Sequence, residues 1–441
     1  MPEDQAADAR LLDAIADWCQ RYTPLIAIDP PDGILLDIGG CAHLFGGEAQ
    51  LRNDLVERMT GFGFSARVAV AATIGAASAT ARFGDTEIAA TGSERDLLAS
   101  LPLAALRLPS DMVAALARLG LKSICDILDL PRAPLAARFG AELLRQLDRA
   151  LGREHEPLTP LRPVAPYVAE RNFHEPIARE EDVLASVERL AARLKTALAA
   201  RGEGARRLEL ALFRTDGAVK RIAAGTSRPL RDPRAIRALF VERLAALGDE
   251  IDPGFGFDLA RLSVLTAEPC PEEQIGLGTR ADQVELDRLV DRLSARLGRR
   301  RVSRLVACDS HIPELAAAFV PAQAMARAEF GWDAFRRFRT AVGLSPRPLR
   351  LLAKPEPIAD VFALVPDGPP ARFRWRRALH EVVRAEGPER IEGAWWSEGG
   401  PARDYFHVED KAGLRFWLFR AGLYRDIASS PPRWFVHGMY A

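Results

Sequence analysis

With 441 residues the chain is too long for one hydrophobic core and predicts roughly three or four domains. Acidic and basic side chains balance at 60 each, so no net field draws the whole molecule to nucleic acid or to a membrane surface. No apolar run approaches the ~20 residues needed to span a bilayer, and the polar, acidic start MPEDQAADAR does not read as a signal peptide, so no membrane partner is expected.

The five cysteines (Cys19, Cys41, Cys125, Cys270, Cys308) form no CxxC pair, which predicts no disulfide framework or zinc site and suits a reducing cytoplasm. Five of the 60 basic residues are lysines and the rest arginines. A GC-rich genome accounts for that bias, and so does a need for forked donors that match phosphate.

Leu11, Leu12, Ile15, Trp18 and Cys19 recur at helical spacing and predict a helix over 8–21. Two apolar runs follow, Leu25–Ile28 and Ile34–Ile38, around the turn residues Asp29-Pro30-Pro31-Asp32-Gly33, so this stretch predicts a β-hairpin. Residues 47–59 predict an amphipathic helix, 65–72 (SARVAVAA) a strand, and 75–83 an Ala-rich helix closed by Gly84. Together these predict a small α/β sandwich with an open sheet over 1–92.

Residues 93–163 lack strand patterns and predict short helices. Pro109 and Ser110 open one that runs through Leu119, Ser123 caps Ile124–Leu128, and two more follow Pro131 and begin at Ala141. The tight pair joined by Leu119-Gly120-Leu121 suits a helix-hairpin-helix module, which offers N–H groups to DNA phosphates near Ser110. An ordinary helical bundle is the alternative.

The Pro-rich run over 157–166 predicts a semi-rigid tether. Strand (167–173), helix (180–201), strand (206–214), strand (219–226), helix (232–247) and strand (257–266) then predict a split β-α-β sheet backed by two helices, over 164–270. Residues 271–345 predict a loop, a helix over 283–298, and a stretch the pattern leaves unassigned. The aromatic segment 346–441 predicts a small antiparallel sheet with a turn at Glu409-Asp410-Lys411-Ala412-Gly413. Its aromatics, Trp395, Trp396 and Phe416–Phe419 among them, suit a core better than a base-stacking platform. The expected fold class is α+β and multidomain.

Several runs carry a family resemblance. They are Tyr22-Thr23-Pro24-Leu25, Leu36–Glu48 (LDIGGCAHLFGGE), Ala81-Arg82-Phe83-Gly84, Asp309–Glu314 (DSHIPE), Arg347–Leu352 and Arg403–Asp410. These resemble Y-family translesion DNA polymerases, and within them the ImuB group, the polymerase-like proteins of bacterial mutagenesis cassettes. The resemblance covers nearly the whole chain. It implies a partial Y-family palm (1–92), a helical thumb (93–163), a little finger (164–270), a clamp-loop and helical linker region (271–345) and a C-terminal β-rich interaction domain (346–441).

Laid on the second catalytic strand of the family, Asp32 takes the place of the catalytic Asp, but Gly33 takes that of the catalytic Glu. Two metal ions ~3.5–4 Å apart need several oxygen ligands, and Gly33 brings no side-chain oxygen. Ile74 and Ser78 stand where active relatives carry two triphosphate-binding lysines. The chain also starts about where a polymerase has already passed its first catalytic strand and fingers. The resemblance therefore implies a vestigial Asp32, no cofactor or metal, and an adaptor in place of an enzyme. Its implied partners are damaged or primer–template DNA, the sliding clamp, an error-prone replicative-type DNA polymerase and a RecA-like mutagenesis partner. Two rivals stand beside it: an active nucleotidyltransferase using Asp29, Asp32 and Asp37, and a DNA-binding repair protein without those partners.

Arg206, Arg207, Arg214, Lys220, Arg221 and Arg228 lie on the paired central strands of the little-finger-like sheet. They are expected either to contact phosphates without reading sequence or to form a solvated face. Gln274, Ile275 and Leu277 occupy the place of the family's clamp-binding motif but lack its terminal aromatic anchor. Cys41 and His43 lack the two further ligands a zinc site needs. Arg299–Arg301 and Arg336-Arg337 suit helix C-terminal charge or contacts to acidic partners.

Overall fold

The computed structural model describes residues 4–270, 280–308, 310–324, 337, 347–364, 367–392, 402–422 and 432–440. They divide into two units, Met1–Arg299 and Arg300–Ala441.

The first unit opens with α1 (Gln5–Cys19), where the Asp4 carboxylate accepts from the Ala6 and Ala7 amides. Next come β1 (Ile26–Asp29) and β2 (Gly33–Leu36), paired in register from Ile26↔Leu36 to Asp29↔Gly33. α1 and α2 (Glu48–Gly61) close over this hairpin through Trp18, Tyr22, Ile26, Leu51, Leu55 and Met59.

The strand predicted at 65–72 does not form. Phe64, Ala66 and Val68 do alternate onto the core, but their backbone meets no sheet edge. Arg52 Nε donates to the Val68 carbonyl at 3.1 Å, and Val70 makes one isolated bridge to Ile88. Alternation reports which face is buried, whereas a ladder also needs a neighbouring strand. The expected open sheet is thus a two-stranded hairpin. α3 (Ile74–Phe83) starts at Thr73, whose Oγ1 accepts from the Ala76 amide at 3.0 Å. Gly84 ends it in extended conformation (φ −98°), not in the left-handed one that a closing glycine usually supplies.

α4 (Glu94–Ala99), α5 (Ser110–Arg118), α6 (Cys125–Leu128), α7 (Arg132–Phe139) and α8 (Ala141–Ala150) form the helical module expected after residue 93. Leu98, Leu103, Leu116, Ile124, Leu143 and Leu147 make its core, and α3 joins that core through Ala76 and Ala79. Gly75 permits the approach: a Cβ there would lie 2.7 Å from Ala150 Cα. Thr73 Oγ1 also donates to the Ala150 carbonyl at 2.8 Å, so one residue caps α3 and satisfies the end of α8.

The tether then leads into β3 (Tyr167–Ile177), α9 (Glu180–Ala200), β4 (Glu203–Arg214), β5 (Val219–Leu230), α10 (Pro233–Leu247) and β6 (Phe257–Pro269). The strands form one antiparallel sheet in the order β3-β6-β4-β5. The two helices cover one face over Leu190, Leu208, Leu210, Leu212, Ile222, Phe240 and Leu262. α11 (Arg280–Leu297) packs beside α10, where Arg292 pairs with Glu242 at 2.9 Å and Asp291 accepts from the Ser227 amide at 2.6 Å.

In the second unit, β7 (Ser303–Ala307) and β8 (Ala317–Pro321) form a hairpin where a helical linker was expected. β9 (Arg350–Pro357), β10 (Ala359–Ala363), β11 (Pro370–Trp375), β12 (Ala378–Ile391), β13 (Arg403–Asp410), β14 (Arg415–Ala421) and β15 (Arg433–Met439) form a seven-stranded antiparallel sheet. Its order is β10-β11-β12-β13-β14-β15-β9. The two outermost strands are joined through Ile358 alone, whose amide donates to the Trp434 carbonyl at 3.0 Å, so the sheet closes on itself. Phe373, Phe406, Phe416, Leu418 and Trp434 fill the inside, while Tyr405, Trp417 and Phe419 pack on the other face. The alternation expected of Phe416 to Phe419 is therefore present, with both faces buried. Trp395 and Trp396 lie outside the described residues.

Candidate functional site

The β1–β2 turn and α3 bring a small polar cluster together. Asp29 ends β1, Asp32 and Gly33 complete the turn, and Ser78 and Arg82 project from α3 four residues apart, on one face. Arg82 Nη1 donates to Asp29 Oδ2 at 2.6 Å, and its Nη2 donates to Asp32 Oδ1 at 2.9 Å and to the Asp29 carbonyl at 3.0 Å. Ser78 Oγ donates to Asp29 Oδ2 at 3.0 Å and accepts from Arg82. Arg107, held in the left-handed region (φ 55°), stands 3.9 Å from the other Asp29 oxygen and pairs with Glu156 at 2.6 Å. Burial alone would lower the Arg82 pKa. The bonds and charges of Asp29 and Asp32 more than reverse that, so its pKa is raised and the cation is held more firmly.

The cluster therefore already contains its counter-cation. A Cβ on Gly33 would come within 2.5 Å of Arg82 Nη2 and 2.8 Å of the Asp29 carbonyl, so the guanidinium fills the space a longer side chain would need. Such a site does not fit a pair of divalent ions, which require several free oxygens. Asp37 is exposed and accepts from the Gly39 amide at 3.0 Å, apart from this cluster. Ile74 opens α3, and Ser78 serves Asp29. His43 is exposed, and the described residues hold no group of three or more metal-ligating side chains. Arg82 is the residue that sequence reasoning missed. Its motif Ala81-Arg82-Phe83-Gly84 was a landmark, but nothing local showed which acids it meets across about fifty positions.

In the helical module, Ser110 is exposed at the first turn of α5. Ser123 does not cap α6, whose N-cap is Ile124; instead Asp126 reaches back and accepts from the Lys122 and Ser123 amides and from Ser123 Oγ, each at 2.8 Å. Those bonds hold its carboxyl at about 2.

The six basic residues of β4 and β5 do not share one surface. Arg206 pairs with Glu268 at 3.0 Å, and Arg214 binds Asp216 and, at 3.2 Å, Asp252. Lys220 donates to the Glu250 carbonyl at 3.3 Å, and Arg228 pairs with Asp287 of α11. Arg207 is exposed. Arg221 faces away from α9 and α10 and bonds Glu209, Gln20 and Asp17. Gln274, Ile275 and Leu277 lie outside the described residues.

The later sequence landmarks are structural within the second unit. Glu314 pairs with Arg403 at 2.7 Å, and Arg347 lies 4.5 Å over the Trp417 ring. Buried Asp404 accepts from Arg390 at 2.7 Å and from Arg420 at 2.5 Å.

Residues 166–277, which span the four-stranded sheet and its helices, match the impB/mucB/samB family C-terminal domain. The whole chain is 42% identical over 451 residues to Protein ImuB of Caulobacter vibrioides (strain NA1000 / CB15N), covering 99% of this chain and 94% of that protein. The same figures hold for Protein ImuB of Caulobacter vibrioides strain ATCC 19089 / CIP 103742 / CB 15. The chain belongs to the ImuB family. Among solved structures, DinB from Sulfolobus solfataricus is 13% identical, covering 61% of this chain and 79% of its own, at a TM-score of 0.30. An insertion ternary complex of Dbh DNA polymerase is 14% identical, covering 60% and 78%, at 0.30.

Proposed function

We propose that this chain is a non-catalytic DNA-binding adaptor of translesion synthesis and damage-induced mutagenesis, working in the cytoplasm. The observation that carries the reading is the Arg82 guanidinium bonded to Asp29 and Asp32 beside Gly33. An active nucleotidyltransferase would need Asp29, Asp32 and Asp37 free to coordinate ions, and the first two are committed to an internal cation. Partners would supply the chemistry: an error-prone replicative-type polymerase, a RecA-like protein, and the sliding clamp through Gln274, Ile275 and Leu277. No helix among the described residues is long and apolar enough to cross a membrane.

Primer extension with magnesium and all four triphosphates tests the catalytic part. The expected result is no extension by the purified chain. Extension that disappears in Asp32→Ala would overturn the reading. For the partners, the chain should retain the sliding clamp in a pull-down and lose it with Gln274→Ala/Leu277→Ala. For DNA, Arg214→Ala should weaken binding similarly on unrelated sequences and flatten its salt dependence.

A further inference from the structure

The four-stranded sheet has a helix-covered face and an opposite face, and the opposite face is where charge sits. Strand alternation places Glu209, Ala211 and Phe213 of β4, Arg221 of β5, and Leu259 and Arg261 of β6 there. This face is not open to solvent at its centre, because the end of α1 lies on it. Arg221 donates to Gln20 Oε1 at 2.9 Å and to Asp17 Oδ2 at 3.4 Å. Arg261, only 7% exposed, donates to the Gln20 carbonyl at 2.6 Å and to Glu170 at 2.6 Å. Charges also run the other way: Asp258 of β6 accepts from Arg21 at 2.8 Å and Arg58 at 3.4 Å. Arg162 of the tether completes Asp17 at 2.7 Å.

We infer that α1 and a DNA backbone are alternative occupants of this sheet face, so that α1 must leave before the face can bind DNA. The inference rests on the DNA-binding reading above and adds how that binding is held in check. Arg221 and Arg261 are both saturated by oxygens of residues 17–20 and of their own sheet, and a guanidinium buried as deeply as Arg261 cannot meet a phosphate where it lies. Phosphate oxygens offer the same kind of acceptor as the Asp17 carboxylate and the Gln20 oxygens, so each arginine would keep an oxygen partner through the exchange. The apolar part of this face is Ala211, Phe213 and Leu259 joined by Val219, which also packs against the N-terminal core. A polar interface of this kind between modules is reversible by default. The tether is fastened to the N-terminal part by Arg162 on Asp17 and by the Leu161 amide on the Ile26 carbonyl, so the Arg162 bond must break along with the α1 contact.

The test uses the full chain and a fluorescein-labelled primer–template duplex. Asp17→Ala/Arg21→Ala removes one acid from α1 and one base just after its end, leaves net charge unchanged, and alters no residue assigned to DNA. Once circular dichroism shows it folded, it should bind the duplex about tenfold tighter by anisotropy, because the competent open state no longer competes with docked α1. Arg292→Ala/Glu242→Ala, which breaks an ion pair between α10 and α11, should leave affinity unchanged. In the wild-type chain, duplex should increase hydrogen exchange at residues 16–22 while the α3–α8 contact stays protected. If the wild-type chain binds DNA with residues 16–22 still protected, or the α1 variant binds no tighter, the inference is wrong and the DNA reading stands. If neither protein binds duplex at all, the DNA reading itself fails.

Discussion

Arg82 Nη1 and Asp29 Oδ2 stand 2.6 Å apart, and this contact ties α3 to the acid that ends the first strand of the hairpin. Asp32 accepts from the same guanidinium at 2.9 Å. The pair neutralises locally a charge that would otherwise attract external cations.

Removing the cation should destabilise the fold. The Asp29 side chain is only 14% exposed, so Arg82→Ala leaves a mostly buried carboxylate short of its main partner. The expected loss is about 2–3 kcal/mol in urea unfolding, with part of it recovered by Asp29→Asn in the same chain. Magnesium-dependent primer extension should stay absent, since Gly33 still brings no ligand.

A carboxylate side chain at position 33 should not be accommodated, for a steric reason. Gly33→Glu forces Cβ against Arg82 and the Asp29 carbonyl, at an expected cost of about 1–3 kcal/mol. Combined with Arg82→Ala, the two losses should fall short of additive by more than about 0.5 kcal/mol, because Arg82→Ala removes the guanidinium part of the clash and leaves the Asp29 carbonyl. Full additivity in paired unfolding curves would count against this account.

Gly75 should tolerate no side chain. Gly75→Ala places Cβ against Ala150 Cα and must lever α3 away from α8. A loss of about 1–3 kcal/mol is expected, measured by thermal unfolding. Ala150→Gly should rescue little of it, because the Cα remains in the way.

Acid should weaken the second unit before its carboxylates titrate. His437 is fully buried, and desolvation lowers its pKa from 6.5 to about 4, only partly offset by Glu314 at 3.8 Å. Its Nδ1 lies 2.9 Å from the Tyr405 hydroxyl, within hydrogen-bond distance. The unfolded chain takes up the proton first, so this contribution is complete above pH ~6.5 and is lost as pH falls toward ~4. Tryptophan-detected melting between pH 7.5 and 5 should show a falling Tm, and His437→Phe should flatten that fall.

Much of the architecture was legible in residue order. Apolar spacing marked α1, α2, α9 and α10, the turn residues 29–33 marked the hairpin, and strand–helix alternation marked the sheet matched by the family domain. These patterns are local, since a helix or a strand buries one face with a fixed period whatever it packs against. The absence of a carboxylate at Gly33 was equally plain, because identity needs no structure. The strand at 65–72 failed since pairing depends on a neighbour, which periodicity does not name.

By itself, then, the sequence determined the family, the order of most of the elements and the absence of a side-chain oxygen at position 33. Only the tertiary structure decided that Arg82 fills the resulting space, that α1 covers Arg221 and Arg261, and that the C-terminal sheet closes through Ile358. The physical reason is combinatorial: 60 basic side chains face 60 acids, and which pairs form is set by positions in space up to 237 residues apart in the chain.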